Sequence, residues 1–157
     1  MKRVMLVTVS LFLLTSCGVD VDEDWYGDPR YTDAERAEIQ AGSDWIHERA
    51  GLPPPIIRWD GGDAHKVTLV RGPGPSNDTG QCQKRYEGHG YVYANPDVAG
   101  PFLRAIVAHE MGHCVLDFDD RYGEGRPQSD GIMGLTTALS WTESEEAQCR
   151  VKKTCAR

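Results

Sequence analysis

The sequence predicts an α+β domain. Three stretches carry helix start or stop signals, at 32–51, 100–116 and from about Trp141 onward. Short β-rich runs at 56–59, 65–70 and 91–94 lie between the first two. Glycine and proline total 26 of the 157 residues, which suits a loop-rich domain better than a helical bundle. The chain is 39% hydrophobic and 26% charged, an ordinary globular composition at the length of one domain. Its net charge of −7 and the lack of a long basic run argue against a nucleic-acid partner.

The first element is an export signal. Lys2 and Arg3 precede an apolar run of 11 residues, Val4 to Leu14. That run is too short to span a bilayer as a mature helix. Leu14-Thr15-Ser16-Cys17 then resembles the lipobox of bacterial lipoproteins at all four positions. The resemblance implies that residues 1–16 are removed and that Cys17 is acylated, tethering the protein to a membrane. Gly18 follows the Cys, which in a Gram-negative host implies the outer membrane. The signal holds two cations and no acid, so the mature chain carries 15 cations against 24 acids, a net −9. Residues 17–30 are acidic, lack a period and read as a tether, leaving 31–157 as the folded domain.

Thr32 and Glu35 form a capping box, T-x-x-E, at the start of the first helix. Ile39, Trp45, Ile46 and Ala50 make its apolar stripe, and Gly51 stops it. Pro53-Pro54-Pro55 opens an extended run, Ile56 to Trp59. His65 to Val70 alternates as a strand, with Val67 and Leu69 on one face. Residues 72–90 are rich in Gly, Pro, Ser, Asn and Asp and read as a long loop. Tyr91 to Ala94 is β-rich. Gly100-Pro101 opens the second helix, whose apolar residues from Phe102 to Leu116 cover more than one face, so it should be buried. Residues 117–134 are polar and contain glycines. A last helix starts near Trp141, with Thr142 and Glu145 as a second capping box.

Cys82, Cys114, Cys149 and Cys155 remain beside the lipidated cysteine. An even number outside the cytoplasm predicts two disulfides, with three connectivities open. Residues six apart on a continuing helix diverge by about 240°. A Cys149–Cys155 bridge therefore requires the helix to end before Cys155. Otherwise the C-terminal segment is stapled to Cys82 and Cys114, the arrangement expected here.

The chemistry lies on the second helix, at His109-Glu110-Met111-Gly112-His113. The spacing H-E-x-x-H sets two imidazoles one turn apart on one face, where both reach one metal ion. Glu110 lies about 100° round the helix, where a general base can take a proton from water polarised by zinc. Two histidines and a glutamate are costly to bury on an apolar helix without partners. Asp117, Asp119 and Asp120 are the near candidates for a third ligand, and Glu143 or Glu146 a more distant one.

These residues resemble the metzincin metalloproteases, whose signature is H-E-x-x-H-x-x-G-x-x-H, with Asp as the last ligand in some members. His109, Glu110 and His113 match. Leu116 stands at the Gly position, where the family's chain leaves the helix sharply and often with φ > 0, and Asp119 stands at the third-ligand position. Asp130-Gly131-Ile132-Met133-Gly134 resembles the family's Met-turn, with Met133 as its methionine. The segment from Leu139 onward is similar to the end of small matrixin-like domains. The resemblance covers about residues 101–155. It implies a zincin-like fold: a small twisted sheet, an N-terminal helix, a central zinc-binding helix, a Met-turn and a C-terminal helix. It implies a monomeric zinc endopeptidase acting on a peptide or protein that lies along an edge strand, with Tyr91 to Ala94 as that edge or its neighbour. The rival expectation is a tethered zinc-containing binding or structural lipoprotein without turnover. Of the other polar residues, His47 reads as a surface residue late in the first helix, and His65 and His89 read as lying outside the site. Tyr122 is a possible substrate contact, and Trp25, Trp45, Trp59 and Trp141 read as packing residues.

Overall fold

The computed structural model describes residues 24–61, 66–76, 78–84, 90–95, 97–120, 131–134 and 138–156. The expected signal 1–16, Cys17, His65, His89, Tyr122 and Asp130 lie outside the described residues. Among the described residues no helix is long and apolar enough to cross a membrane.

The architecture is α+β. Five strands, β1 (Asp24–Gly27), β2 (Ile56–Arg58), β3 (Val67–Arg71), β4 (Gly80–Lys84) and β5 (Gly90–Ala94), form one mixed sheet in the order β2-β1-β3-β5-β4. Neighbours pair in parallel except β4, which runs antiparallel to β5 at the edge. The helices are α1 (Asp33–Ala50), α2 (Gly100–Cys114) and α3 (Glu143–Lys152).

The helix signals hold. Both capping boxes are formed, Thr32 with Glu35 and Thr142 with Glu145. Gly51 closes α1 in the left-handed conformation, with φ 73°. Pro101 lies in the first turn of α2. That helix is buried through Leu103, Val107, Ala108 and Met111, and Arg104 pairs with Glu38 of α1 at 2.7 Å. The alternation in β3 is also as read: Val67 and Leu69 are buried, paired with Gly90 and Val92 of the β-rich run that forms β5. All four tryptophans belong to the core or pack against it.

Two strands went unread. β1 falls inside the expected tether, so the folded domain starts no later than Asp24. Four residues are too few to display a period, yet Trp25 is wholly buried on a strand flanked by β2 and β3. β4 falls inside the expected loop. Its sequence GQCQK has no apolar alternation because none of its side chains is fully buried. Its pairing with β5 is what defines it, which makes Tyr91 to Ala94 the neighbour of the edge strand. His47 is a further correction. It is buried rather than at the surface, with Nδ1 2.8 Å from the Ser43 carbonyl and its ring edge-on to Trp25.

The cysteine pairing expected from the sequence is corrected. Cys82 is bonded to Cys114 and Cys149 to Cys155, with Cα atoms 5.6 and 5.2 Å apart. The helix does end before Cys155. Lys153 adopts the left-handed conformation at its C-cap, with φ 56°, and turns the chain back on Cys149.

Candidate metal centre

α2 carries His109 and His113 one turn apart, and their Nε2 atoms stand 3.2 Å from each other. Each ring is anchored through its other nitrogen. His109 Nδ1 is 2.7 Å from the Ile132 carbonyl, and His113 Nδ1 is 2.7 Å from the Phe118 carbonyl. A carbonyl only accepts, so both Nδ1 atoms donate, and in the neutral imidazoles both Nε2 atoms carry lone pairs. Anchoring of this kind orients metal-binding histidines and fixes their tautomer.

The third group is Asp120. Its Oδ1 lies 3.3 Å from His109 Nε2 and 3.0 Å from His113 Nε2. Three electron-pair donors thus converge at one point, and His109, His113 and Asp120 are the group of metal-ligand spacing among the described residues. For a tetrahedral ion with bonds of about 2.0–2.1 Å, ligand atoms should be about 3.3 Å apart. The observed edges of 3.2, 3.3 and 3.0 Å are close to that triangle. Two imidazoles and a carboxylate are also an ordinary zinc donor set.

Asp119, expected as the third ligand, is placed differently. Its carboxylate is largely exposed and pairs with Lys152 at 3.1 Å. Asp117 pairs with Lys84 and Lys152. The difference is one residue of register. The left-handed backbone falls at Asp117, with φ 57°, and not at Leu116. Aspartate tolerates that region better than leucine, and Leu116 is free to be buried in the core. The converging carboxylate moves on by the same one residue, to Asp120. Glu143 and Glu146 do not join the group. Glu146 accepts a hydrogen bond from Trp141 Nε1 at 2.8 Å.

Glu110 is buried beside this triangle. Burial is the main influence on its carboxyl and pushes it up to about 7, against the pull of His109 and the Cys82 N–H. That is the range in which a carboxyl both takes and returns a proton near neutral pH. β4 passes directly above. A Cβ at Gly80 would lie 2.5 Å from Ile106 and 2.9 Å from Glu110 Oε1, so glycine there permits the close approach. Glu110 and the three convergent residues open into a cleft of about 560 Å³, bordered by Asp78, Gln81, Lys84 and Phe118.

Below the helix, Met133 is fully buried in a turn, and its sulfur would be 2.5 Å from a Cβ at Gly112. The turn is held from α3, where Glu145 Oε1 accepts from the Met133 N–H at 3.3 Å. The neighbouring Ile132 carbonyl is the anchor of His109. Sequence reasoning missed Glu145 and Gln148 as supports of the site. The T-x-x-E cap was the one available signal for Glu145, and Gln148 had none.

Compared with known proteins, the chain matches no protein-family model and no curated protein.

Proposed function

We propose that the protein is a zinc-dependent endopeptidase of the metzincin type, and that His109, His113 and Asp120 hold the metal. The observation that carries this reading is the triangle of lone-pair donors beside a buried carboxyl in an open cleft. Zinc, when bound, supplies a Lewis acid and lowers the pKa of water towards neutrality. Glu110 accepts the proton of the attacking water and returns it to the leaving amine. β4, the edge strand above Glu110, offers its outer edge to an extended peptide. The N-terminal lipobox supports export and a lipid anchor at Cys17, on the outer membrane of a Gram-negative host or another cell surface.

The buried Glu110 favours turnover over a purely structural zinc, which does not need a general base. The test is zinc content measured together with cleavage of a casein digest, for the parent and for Glu110→Gln. The expected result is zinc in both and hydrolysis only in the parent. Zinc in the parent without hydrolysis across a broad peptide library supports the binding-protein reading instead.

A further inference from the structure

We infer that Gln148 of α3 is a positioning residue for the metal centre, acting on His113 and Asp120 through the main chain of Asp119. This inference rests on the metal reading proposed above. Gln148 is buried, yet its whole amide is used on one residue. Oε1 accepts from the Asp119 N–H at 2.7 Å, and Nε2 donates to the Asp119 carbonyl at 3.1 Å.

Those two bonds grip two successive peptide planes. The first plane contains the Asp119 N–H and the Phe118 carbonyl, and that carbonyl anchors His113 Nδ1 at 2.7 Å. A peptide is rigid, so holding its N–H fixes the direction of its carbonyl, and with it the His113 ring. The second plane contains the Asp119 carbonyl and the Asp120 nitrogen, from which the Asp120 side chain departs. A carboxamide presents a donor and an acceptor side by side at every pH, whereas a carboxyl does so only when protonated. Further contacts of α3 and its tail bear on the same segment without touching these planes. Lys152 pairs with the carboxylates of Asp117 and Asp119, and Thr154 donates to the Leu116 carbonyl at 2.6 Å. His109 is anchored elsewhere, on Ile132.

A clamp serving only the fold changes stability and leaves metal affinity alone, whereas a positioning residue changes affinity in the folded protein. Partners of metal ligands are typically worth 10–100-fold in affinity. The full chain is titrated with zinc against a chromophoric chelator, as the parent, Gln148→Met and Gln148→Glu. Near-ultraviolet circular dichroism in excess chelator reports the fold. Gln148→Met removes both hydrogen bonds at similar volume and is expected to weaken zinc at least tenfold. Gln148→Glu, titrated at pH 8 to ionise the carboxyl, keeps the acceptor but not the donor, retains more of the fold, and is expected to weaken zinc at least threefold. Lys152→Met, which leaves both peptide planes held, is expected to stay within twofold of the parent. Folded Gln148→Met or Gln148→Glu protein within twofold of the parent overturns the inference. If Gln148→Met does not fold, Gln148→Glu decides. A parent that binds no zinc overturns the metal reading itself, a result distinct from unchanged affinity in the variants.

Discussion

His109 and His113 face each other through Nε2 atoms 3.2 Å apart, while each ring's Nδ1 is held 2.7 Å from a main-chain carbonyl. Both anchors lie outside α2, one in the turn before Met133 and one in the loop that leaves the helix. The two rings are therefore set by tertiary structure although the residues are neighbours on one helix. With Asp120 closing the triangle, the lone pairs repel one another until a proton or a cation is shared among them.

Zinc is expected to stabilise the fold. Free zinc at 100 times its dissociation constant contributes about 2.7 kcal/mol. For a domain of this size that raises the melting midpoint by about 5–10 °C. Thermal unfolding with added zinc and with excess chelator measures the shift, and His109→Ala should abolish it.

Gly112→Ala tests the contact beneath α2. The new methyl would sit 2.5 Å from Met133 Sδ and 3.8 Å from Phe118, in a region with no exposed surface to yield into. Overpacking of this kind costs about 1–3 kcal/mol. Denaturant unfolding should show that loss, and the double variant Gly112→Ala, Met133→Ala should cost less than the sum of the two single changes, because the cavity left by fully buried Met133 takes up the new methyl.

The Cys82–Cys114 bridge joins the edge strand above Glu110 to the last residue of α2, across 32 positions. A loop of that length is worth about 3–4 kcal/mol by the chain-entropy relation. Replacing both cysteines by serine should cost about that much in denaturant unfolding. Hydrogen exchange should rise first in β4, which among the described strands pairs with β5 alone.

Asp28 makes acid stability testable. The Arg30 side chain is the main cause that holds its carboxyl down at about 2, opposed by burial and aided by the N–H groups of Arg30 and Arg71. A carboxyl lowered in the folded state stabilises above its ordinary value of 3.8, and that contribution fades as the pH falls through about 2. Arg30 is largely exposed, so screening leaves about 1 kcal/mol. Asp28→Asn should be less stable than the parent by that amount at pH 7. The gap should narrow clearly by pH 2.5 in denaturant titrations at both values.

Local patterns were legible. Both capping boxes, the buried second helix and the H-E-x-x-H pair follow from spacing along one helix, where neighbours in sequence are neighbours in space. The alternation of Val67 and Leu69 was legible for the same reason. β1 and β4 were not. A four-residue strand has no room for a period, and an edge strand with no fully buried side chain has no apolar code. Their places come from hydrogen bonds to distant strands.

The residue types and their helical spacing were enough to single out two histidines and a glutamate as a candidate site on one helix. Three-dimensional closure chose the carboxylate that meets them. One residue in the left-handed region, Asp117 rather than Leu116, shifts the exit from α2 by one position and brings Asp120, not Asp119, to the imidazoles. The same kind of local turn, at Lys153, chose Cys149 with Cys155. A helix repeats one geometry at each step, so its sequence can be read residue by residue. A turn changes direction at a single dihedral pair, and its register is set by what the chain packs against afterwards.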